Sequence, residues 1–162
     1  MHRWFRPALR ADTVYDVDIP TLVAHGIRGI ILDLDNTIVP WGAREAPQAL
    51  VEWIRRTRAA GVRLCIVSNN GGRRVTALAR SLDVPVLTGA MKPRRGALRR
   101  ALGVMGTTAD TTALVGDQVF TDVLGGNRLG LYTILVQPQS AREFVLTRLV
   151  RVVERAVLRG LR

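Results

Sequence analysis

Asp33 follows directly after the apolar residues Ile30, Ile31 and Leu32, and a second acid, Asp35, comes two residues later. An unpaired charge at the end of a buried strand lowers stability, so carboxylates at this point need a binding partner. Ligands of open parallel sheets bind in the crevice beyond the carboxyl ends of the strands. The pair therefore predicts a site for a metal ion and a phosphate group. The alternative is two exposed acids in an ordinary turn.

Two further acids, Asp117 and Asp122, come after the apolar stretch at 113–115. Either could instead be a helix cap or a partner for the helix dipole, because acids are favoured in a first helical turn. Together with Asp33 and Asp35 they place four acids at the ends of two strands, and a hard cation would neutralise such a cluster. The chain has two histidines and one cysteine, and oxygen ligands without soft donors favour Mg²⁺.

Residues 68–72 read SNNGG and lie between an apolar stretch and a helix predicted to begin near Arg73. A loop at a helix N-terminus offers backbone N–H groups and the positive end of the helix dipole to a phosphate, although such loops are also ordinary turns. Lys92 is the only lysine among 24 basic residues. A compact ammonium can act as a point charge where a planar guanidinium does not fit, which predicts a specific role for Lys92. Chance in an arginine-rich composition is the alternative.

The chain has 162 residues, of which 48% are hydrophobic, and a formal net charge of +11. This length and apolar fraction predict one domain over residues 1–162 and exclude a disordered chain. No stretch approaches the roughly 20 apolar residues of a membrane-spanning helix. A single cysteine excludes an internal disulfide, and the first residues lack the apolar run of a secretory signal, so we expect a cytoplasmic protein. The positive charge favours nucleic acid, phosphorylated molecules or an acidic membrane surface as partners.

Short apolar runs alternate with longer segments of helical period, which is typical of the α/β class. The pattern predicts a three-layer, Rossmann-like parallel sheet with helices on both faces. The predicted strands are at 29–33, 62–68, 84–87, 113–116 and 132–136. The predicted helices are at 47–60, 73–81, 93–102 and 120–128. Pro47 and Pro93 would lie in first turns, and Gly103 would end its helix.

Residues 141–162 predict a basic amphipathic helix, because apolar residues fall on one face and arginines on the other. Such a helix either covers the sheet with its arginines in water, or binds a membrane surface or a partner. The sequence leaves both open.

Four segments resemble, in order, the four motifs of the haloacid dehalogenase superfamily of phosphatases. They are DLDNT at 33–37, SN at 68–69, KP at 92–93 and GDQVFTD at 116–122. More narrowly, the chain resembles the YqeG type, a subclass IIIA group similar to mitochondrial phosphatidylglycerophosphate phosphatase. The resemblance covers residues 15–140 and implies a haloacid-dehalogenase-like sheet.

The resemblance implies that Asp33 is the nucleophile and forms an aspartyl-phosphate, which divides one difficult transfer into two easier steps. Asp35 would be the general acid and base, able to reach the same phosphoryl group. Asp33, the main-chain carbonyl of Asp35 and Asp117 would hold Mg²⁺, with Asp122 supporting the metal site.

The resemblance also assigns the phosphate-binding residues. Ser68 would donate to a phosphoryl oxygen with help from the backbone N–H of Asn69. Lys92 would neutralise Asp33 and the charge of the intermediate. Thr37 would shape the loop or bind the phosphate.

Many superfamily members carry a cap domain inserted after the first motif or between the second and third, and neither insertion is present here. An open site suits a phosphate on a large molecule, so we expect phosphatidylglycerophosphate to be dephosphorylated to phosphatidylglycerol. Trp4, Phe5 and Arg6, with the C-terminal helix, would contact the membrane peripherally. The alternatives are a phosphatase for nucleic-acid ends, phosphoproteins or small phosphate esters, and a basic RNA- or ribosome-binding module with vestigial catalysis.

Overall fold

The computed structural model describes residues 2–140, and within that range six parallel strands form one sheet. The strands are β1 (Leu9–Ala11), β2 (Gly29–Leu32), β3 (Arg63–Val67), β4 (Val86–Leu87), β5 (Thr112–Gly116) and β6 (Tyr132–Val136). Their order is β1-β6-β5-β2-β3-β4. The strand that leads into Asp33 therefore lies between the strands that lead into Ser68 and Asp117.

The helices connect these strands. They are α1 (Ile19–Ala24), α2 (Gln48–Ala59), α3 (Arg73–Ser81), α4 (Gly96–Met105) and α5 (Leu124–Leu129). Helix α2 buries Leu50, Trp53, Ile54 and Thr57, the spacing of one helical face. Two short 3₁₀ helices, His2–Phe5 and Val14–Asp16, precede α1, and a π-helical turn at Val119–Val123 leads directly into α5.

The hydrophobic core has two parts, one on each face of the sheet. Ile30 and Leu32 of β2 pack in the same cluster as Trp53 of α2. Ile31, between them, packs in the other cluster with Leu98 of α4. Because successive side chains of a strand point to opposite faces, the two clusters define three layers. The predicted α/β class and three-layer parallel sheet are confirmed.

Several element boundaries differ from the sequence prediction. The predicted helix at 93–102 begins at Gly96 and ends at Met105, so Pro93 precedes it and Gly103 lies inside it. Gly106, which follows this helix, takes the left-handed conformation with φ of 61°. Pro47 is the cap residue before α2 and not part of its first turn.

Strand β1, helix α1 and the two 3₁₀ helices were not predicted from the sequence. Strand β1 is the outermost strand on one side of the sheet and has three residues. Three residues are too few for an alternating pattern to be recognised. Helix α1 has six residues, fewer than two full turns.

Across residues 2–140, no helix has both the length and the apolar character needed to cross a bilayer. The predicted amphipathic helix at 141–162 lies outside the described residues and stays a prediction. The same holds for a single domain over residues 1–162.

Candidate active site

The loops after β2, β3 and β5 meet at one edge of the sheet, because parallel strands end on the same side. The backbone N–H of Asp33 donates to the carbonyl of Val115 in the neighbouring strand, at 2.9 Å. This bond fixes the point at which the first acid leaves the sheet. Ser68 and Asp117 leave the flanking strands directly after Val67 and Gly116.

Three of the predicted acids converge at this edge. Carboxylate oxygens of Asp33, Asp117 and Asp122 lie within 4.8 Å of one another. Together with the ammonium of Lys92, three ionised carboxylates leave two uncompensated negative charges in a nearly buried place, and one divalent cation would balance them. The donor atoms are all oxygens, which fits a hard ion such as Mg²⁺.

Lys92 lies between two of these acids. Its Nζ is 2.6 Å from Oδ1 of Asp33 and 2.7 Å from Oδ1 of Asp122, and 1% of its side chain is exposed. Burial alone would lower the pKa of the ammonium, but the charges of Asp122 and Asp33 outweigh this effect and raise it. Lys92 is therefore a fixed positive charge against the predicted nucleophile.

The side chain of Asn69 holds the backbone of Lys92 in place. Its Oδ1 accepts from the backbone N–H of Lys92 at 2.7 Å, and its Nδ2 donates to the Lys92 carbonyl at 3.3 Å. The backbone contact from Asn69 to phosphate stays a prediction, and this side-chain role was not predicted from the sequence. A side-chain amide presents a donor and an acceptor, which matches the two groups of one residue's main chain.

The carboxyl group of Asp33 is unusually basic. Burial raises the pKa of Asp33 to about 6; the nearby charge of Lys92 opposes this rise, and that of Asp122 adds to it. The fully buried hydroxyl of Thr37 lies 2.9 Å from Oδ2 of Asp33 and 3.1 Å from Oδ1 of Asp117. A hydroxyl has one proton, so Thr37 lies between the two carboxylates and donates to one of them at a time. Its contact with phosphate stays a prediction.

Gly116 makes room for Asp122. A Cβ atom at position 116 would lie 2.3 Å from Cγ of Asp122 and 2.4 Å from its Cβ, far inside van der Waals contact. The backbone N–H of Gln118 donates to Oδ2 of Asp122 at 3.2 Å. The turn that carries Asp122 is π-helical, a feature frequent at functional sites. Glycine at position 116 therefore makes room for Asp122, and Asp117, the next residue, supplies a carboxylate to the acid cluster.

Ser68 is buried at the end of β3. Its Oγ accepts from the backbone N–H of Asn70 at 3.1 Å, which orients the hydroxyl. A hydroxyl has one proton to donate besides its acceptor sites. The Ser68 proton is not used by this contact, and its donation to a phosphoryl oxygen stays a prediction.

The carboxylate of Asp35 is not part of the three-acid cluster and has different partners. Nη2 of Arg74 lies 2.7 Å from Oδ2 and 2.9 Å from Oδ1 of Asp35. Nδ2 of Asn70 donates to Oδ2 at 2.8 Å, and the backbone N–H of Gly42 donates to Oδ1 at 3.2 Å. Only its main-chain carbonyl is therefore left for the metal site that the resemblance implies. The contacts of Arg74 and of the Asn70 side chain with Asp35 were not predicted from the sequence.

Two large apolar side chains are exposed in the loops around the site. Trp41, in the loop after Asp35, is 41% exposed, and Met91, directly before Lys92, is 61% exposed. Met91 has a φ of 52°, a left-handed conformation that costs free energy in a residue other than glycine. Met91, the residue before Lys92, therefore combines a strained backbone with an exposed apolar side chain.

The N-terminal residues contact the loop that carries Asp122. The ring of Phe5 packs edge to face against Phe120, with centroids 5.5 Å apart. Nδ2 of Asn127 donates to the carbonyls of Trp4 and Arg6, at 2.9 Å each. Trp4, Phe5 and Arg6 thus support the site from one side. Their predicted contact with a membrane stays a prediction.

Comparison with known proteins also indicates a phosphatase. A family model described as mitochondrial PGP phosphatase, PGP being phosphatidylglycerophosphate, matches residues 1–139. The chain is 37% identical over 162 residues to the probable phosphatase YqeG of Bacillus subtilis, covering 100% of this chain and 94% of that protein. It is 32% identical over 141 residues to the chloroplastic phosphatidylglycerophosphate phosphatase 1 of Chlamydomonas reinhardtii, covering 82% of this chain and 52% of the algal protein.

A crystal structure of a "HAD family hydrolase" from Streptomyces avermitilis, HAD being haloacid dehalogenase, has the same fold. It superposes with a TM-score of 0.56 at 23% identity, covering 78% of this chain and 79% of that one. The acid cluster, the buried Lys92 and these matches agree. The chain has the fold of that hydrolase, is a phosphatase and belongs to the mitochondrial PGP phosphatase family.

Proposed function

We propose that the protein hydrolyses the terminal phosphate monoester of phosphatidylglycerophosphate, using Mg²⁺ and an aspartyl-phosphate on Asp33. The observation that carries the proposal is the placement of Asp33 against a buried ammonium and within 4.8 Å of two further carboxylates. Oδ1 of Asp33 contacts Lys92 at 2.6 Å, while Oδ2 is within 2.9 Å of the Thr37 hydroxyl. A nucleophilic carboxylate needs such fixed partners, because it has to approach an anionic phosphate in one orientation.

In the first step, a carboxylate oxygen of Asp33 forms a bond to phosphorus while the bond from phosphorus to the glycerol oxygen breaks. Asp35 gives its proton to the leaving oxygen. Lys92 and the Ser68 hydroxyl stabilise the charge on the phosphoryl oxygens, since both are buried and already oriented. In the second step, Asp35 takes a proton from water, and the water oxygen forms a bond to phosphorus while the bond from phosphorus to Asp33 breaks. Phosphate leaves, and the carboxylate of Asp33 is restored.

Mg²⁺ would be held by Asp33, Asp117, Asp122 and the main-chain carbonyl of Asp35. When bound, it supplies the positive charge that allows an anionic nucleophile to approach an anionic phosphate.

The entrance to the site supports a lipid substrate. Residues 38–47 link Thr37 to α2, and the segment from Asn70 to Lys92 holds only α3 and β4, so no inserted domain covers this edge in the described part of the chain. Trp41 and Met91 flank the edge and are exposed. Tryptophan is enriched where proteins meet the membrane interface, and the net charge of +11 favours an anionic bilayer. We place the reaction at a membrane surface, with the chain bound peripherally from the cytoplasm.

The test is Mg²⁺-dependent phosphate release from phosphatidylglycerophosphate in mixed micelles, beside para-nitrophenyl phosphate, with Asp33→Asn as the blank. We expect lipid hydrolysis that disappears in the variant and on chelation of the metal. Hydrolysis of the generic ester alone would overturn the lipid substrate and favour nucleic-acid ends, phosphoproteins or small esters. Inactivity on both would favour the RNA-binding alternative.

A second comparison tests the entrance. Trp41→Ser and Met91→Ser should reduce hydrolysis of the lipid in anionic vesicles and leave para-nitrophenyl phosphate hydrolysis unchanged. Val104→Ser is the matched control, because Val104 is 52% exposed near the carboxyl end of α4, at the opposite edge of the sheet. Equal effects from all three variants would contradict a membrane-facing entrance.

A further inference from the structure

The carboxylate of Asp35 has its hydrogen-bonding capacity filled. Its Oδ1 accepts from Gly42 and Arg74, and its Oδ2 accepts from Arg74 and Asn70, at distances of 2.7 to 3.2 Å. A carboxylate offers about four lone-pair sites, two on each oxygen. The proposed acid and base therefore has no site left for the proton it must carry.

One of these donors has to leave before Asp35 can act, and Arg74 is the one suited to do so. Gly42 donates from the main chain, and Asn70 belongs to the loop that also orients Ser68. Arg74 reaches Asp35 with a long side chain that is 26% exposed, against 7% for the Asp35 side chain. Its Nη2 alone contacts Asp35, while Nη1 donates to the carbonyl of Ala43 at 2.9 Å. Arg74 is therefore the donor of the three that can turn towards a ligand arriving from solvent.

The ligand that would attract Arg74 is a second anionic group on the substrate. A guanidinium pairs with phosphate oxygens through two parallel hydrogen bonds, as it does with a carboxylate. Arg74 is the second residue of α3, directly after the loop that carries Ser68. A substrate whose monoester phosphate lies at Ser68 and Lys92 would bring a neighbouring anion towards Arg74.

Phosphatidylglycerophosphate, the substrate under the proposed function on which this inference rests, carries such an anion. Its phosphodiester group is separated from the terminal phosphate by one glycerol unit. We propose that Arg74 binds this phosphodiester and thereby releases Asp35 for proton transfer. Arg74 then distinguishes monoesters that carry a second phosphate from monoesters that do not.

The experiment compares two water-soluble substrates with the full chain and Mg²⁺. One is the deacylated lipid, glycerophosphoglycerol phosphate, which has both phosphates. The other is glycerol 3-phosphate, which has the monoester alone. For the wild type we expect kcat/KM to favour the first by about 10- to 100-fold, the range of a charged, paired hydrogen bond.

Arg74→Gln should bring this ratio close to one. Arg73→Gln is the matched control, because it removes the same charge from the adjacent, exposed residue of α3, and it should keep the wild-type ratio. Glycerophosphoglycerol, a diester without a monoester, should inhibit the wild type competitively and Arg74→Gln at least tenfold more weakly. Should Arg74→Gln fail to fold, Arg74→Lys keeps the charge without the paired geometry and should give an intermediate ratio.

Two results would overturn the inference. A wild-type ratio near one would show that the diester is not recognised. An equal loss on both substrates in Arg74→Gln, with the ratio retained, would show that Arg74 only positions Asp35. If the wild type hydrolyses the lipid in micelles in either case, the proposed function stands and only the inference falls. A wild type inactive on both the lipid and its deacylated form overturns both.

Discussion

Asp33 and Asp35 lie two residues apart, yet their carboxylates occupy environments of different kinds. Asp33 contacts Lys92, whose side chain is 1% exposed and also pairs with Asp122. Asp35 contacts Arg74, whose side chain is 26% exposed, together with two amide groups. The first group has a sealed cation, although the Asp33 side chain is 13% exposed against 7% for Asp35. The second can exchange a partner with solvent or substrate, which suits a residue that has to gain and lose a proton.

The largest effect is expected from removing the sealed cation. Lys92→Met should lower the free energy of unfolding by about 3–5 kcal/mol, since it leaves two buried carboxylates without their partner. Urea denaturation measures this, and added Mg²⁺ should restore part of the loss. Arg55→Met, which breaks the exposed pair with Glu52, is the control and should cost about 1 kcal/mol or less. Equal costs for the two variants would contradict the contrast.

The second effect concerns pH. The pKa of Asp33 is raised to about 6, whereas an unfolded aspartate has about 3.8. Between these values the folded state holds the extra proton, so the Asp33 contribution to stability falls as pH rises through pH 4 to 6 and stays low above. Without divalent cations, the stability of Asp33→Asn relative to wild type should therefore increase over this range by at most about 3 kcal/mol.

Thermal unfolding in EDTA across pH 4 to 8 checks this prediction. Mg²⁺ should shrink the difference between the two proteins, because the cation stabilises the ionised carboxylate. A wild type that gains stability relative to Asp33→Asn as pH rises would contradict it.

A smaller loss is expected at Gly116. Gly116→Ala should cost about 1–3 kcal/mol and displace Asp122, because the added methyl group overlaps that carboxylate. Gly103→Ala is the matched control: a Cβ there meets no atom within 4 Å, and alanine favours the helix. Calorimetric melting of both variants separates the steric cause from the general effect of replacing a glycine. A Gly116→Ala variant as stable as Gly103→Ala would show that Asp122 can relax.

The smallest effect is expected at the exchangeable pair. Arg74→Gln should lower the free energy of unfolding by about 1–2 kcal/mol, because the buried carboxylate of Asp35 loses its cation but keeps the donors of Asn70 and Gly42. Its larger consequence should lie in substrate preference. A loss in urea denaturation as large as that of Lys92→Met would place Arg74 among the structural charges.

The sequence predicts the sealed group better than the exchangeable one. Asp33, Asp117 and Asp122 follow apolar strands, and Lys92 is the single lysine, so each carries its own signal. Arg74 carries no such signal, because every Lys or Arg position of the chain except Lys92 is an arginine. Nothing local separates it from its neighbour Arg73, and the contact with Asp35 exists only once β2 and α3 are packed together.

The fold shows a similar division. The central strands β2, β3 and β5 are apolar runs long enough for a pattern, whereas β1 has three residues and is specified by what it pairs with. Asn69 and Thr37 lie in predicted motifs, but their contacts depend on segments distant in the chain. The contacts of Asn69 and Thr37 therefore form only when the chain is folded, and the sequence alone does not predict them.

The pairing of β1 has a consequence for the order in which the sheet assembles. Leu9 is in register with Ile134, and the backbone N–H of Ala8 donates to the carbonyl of Thr133, at 2.9 Å. Within residues 2–140, the first strand in chain order therefore pairs with the last, and closing such a long loop carries a high entropic cost. The central strands that carry Asp33, Ser68 and Asp117 can pair earlier. The reaction centre is thus able to form before the outer edge of the sheet docks against it.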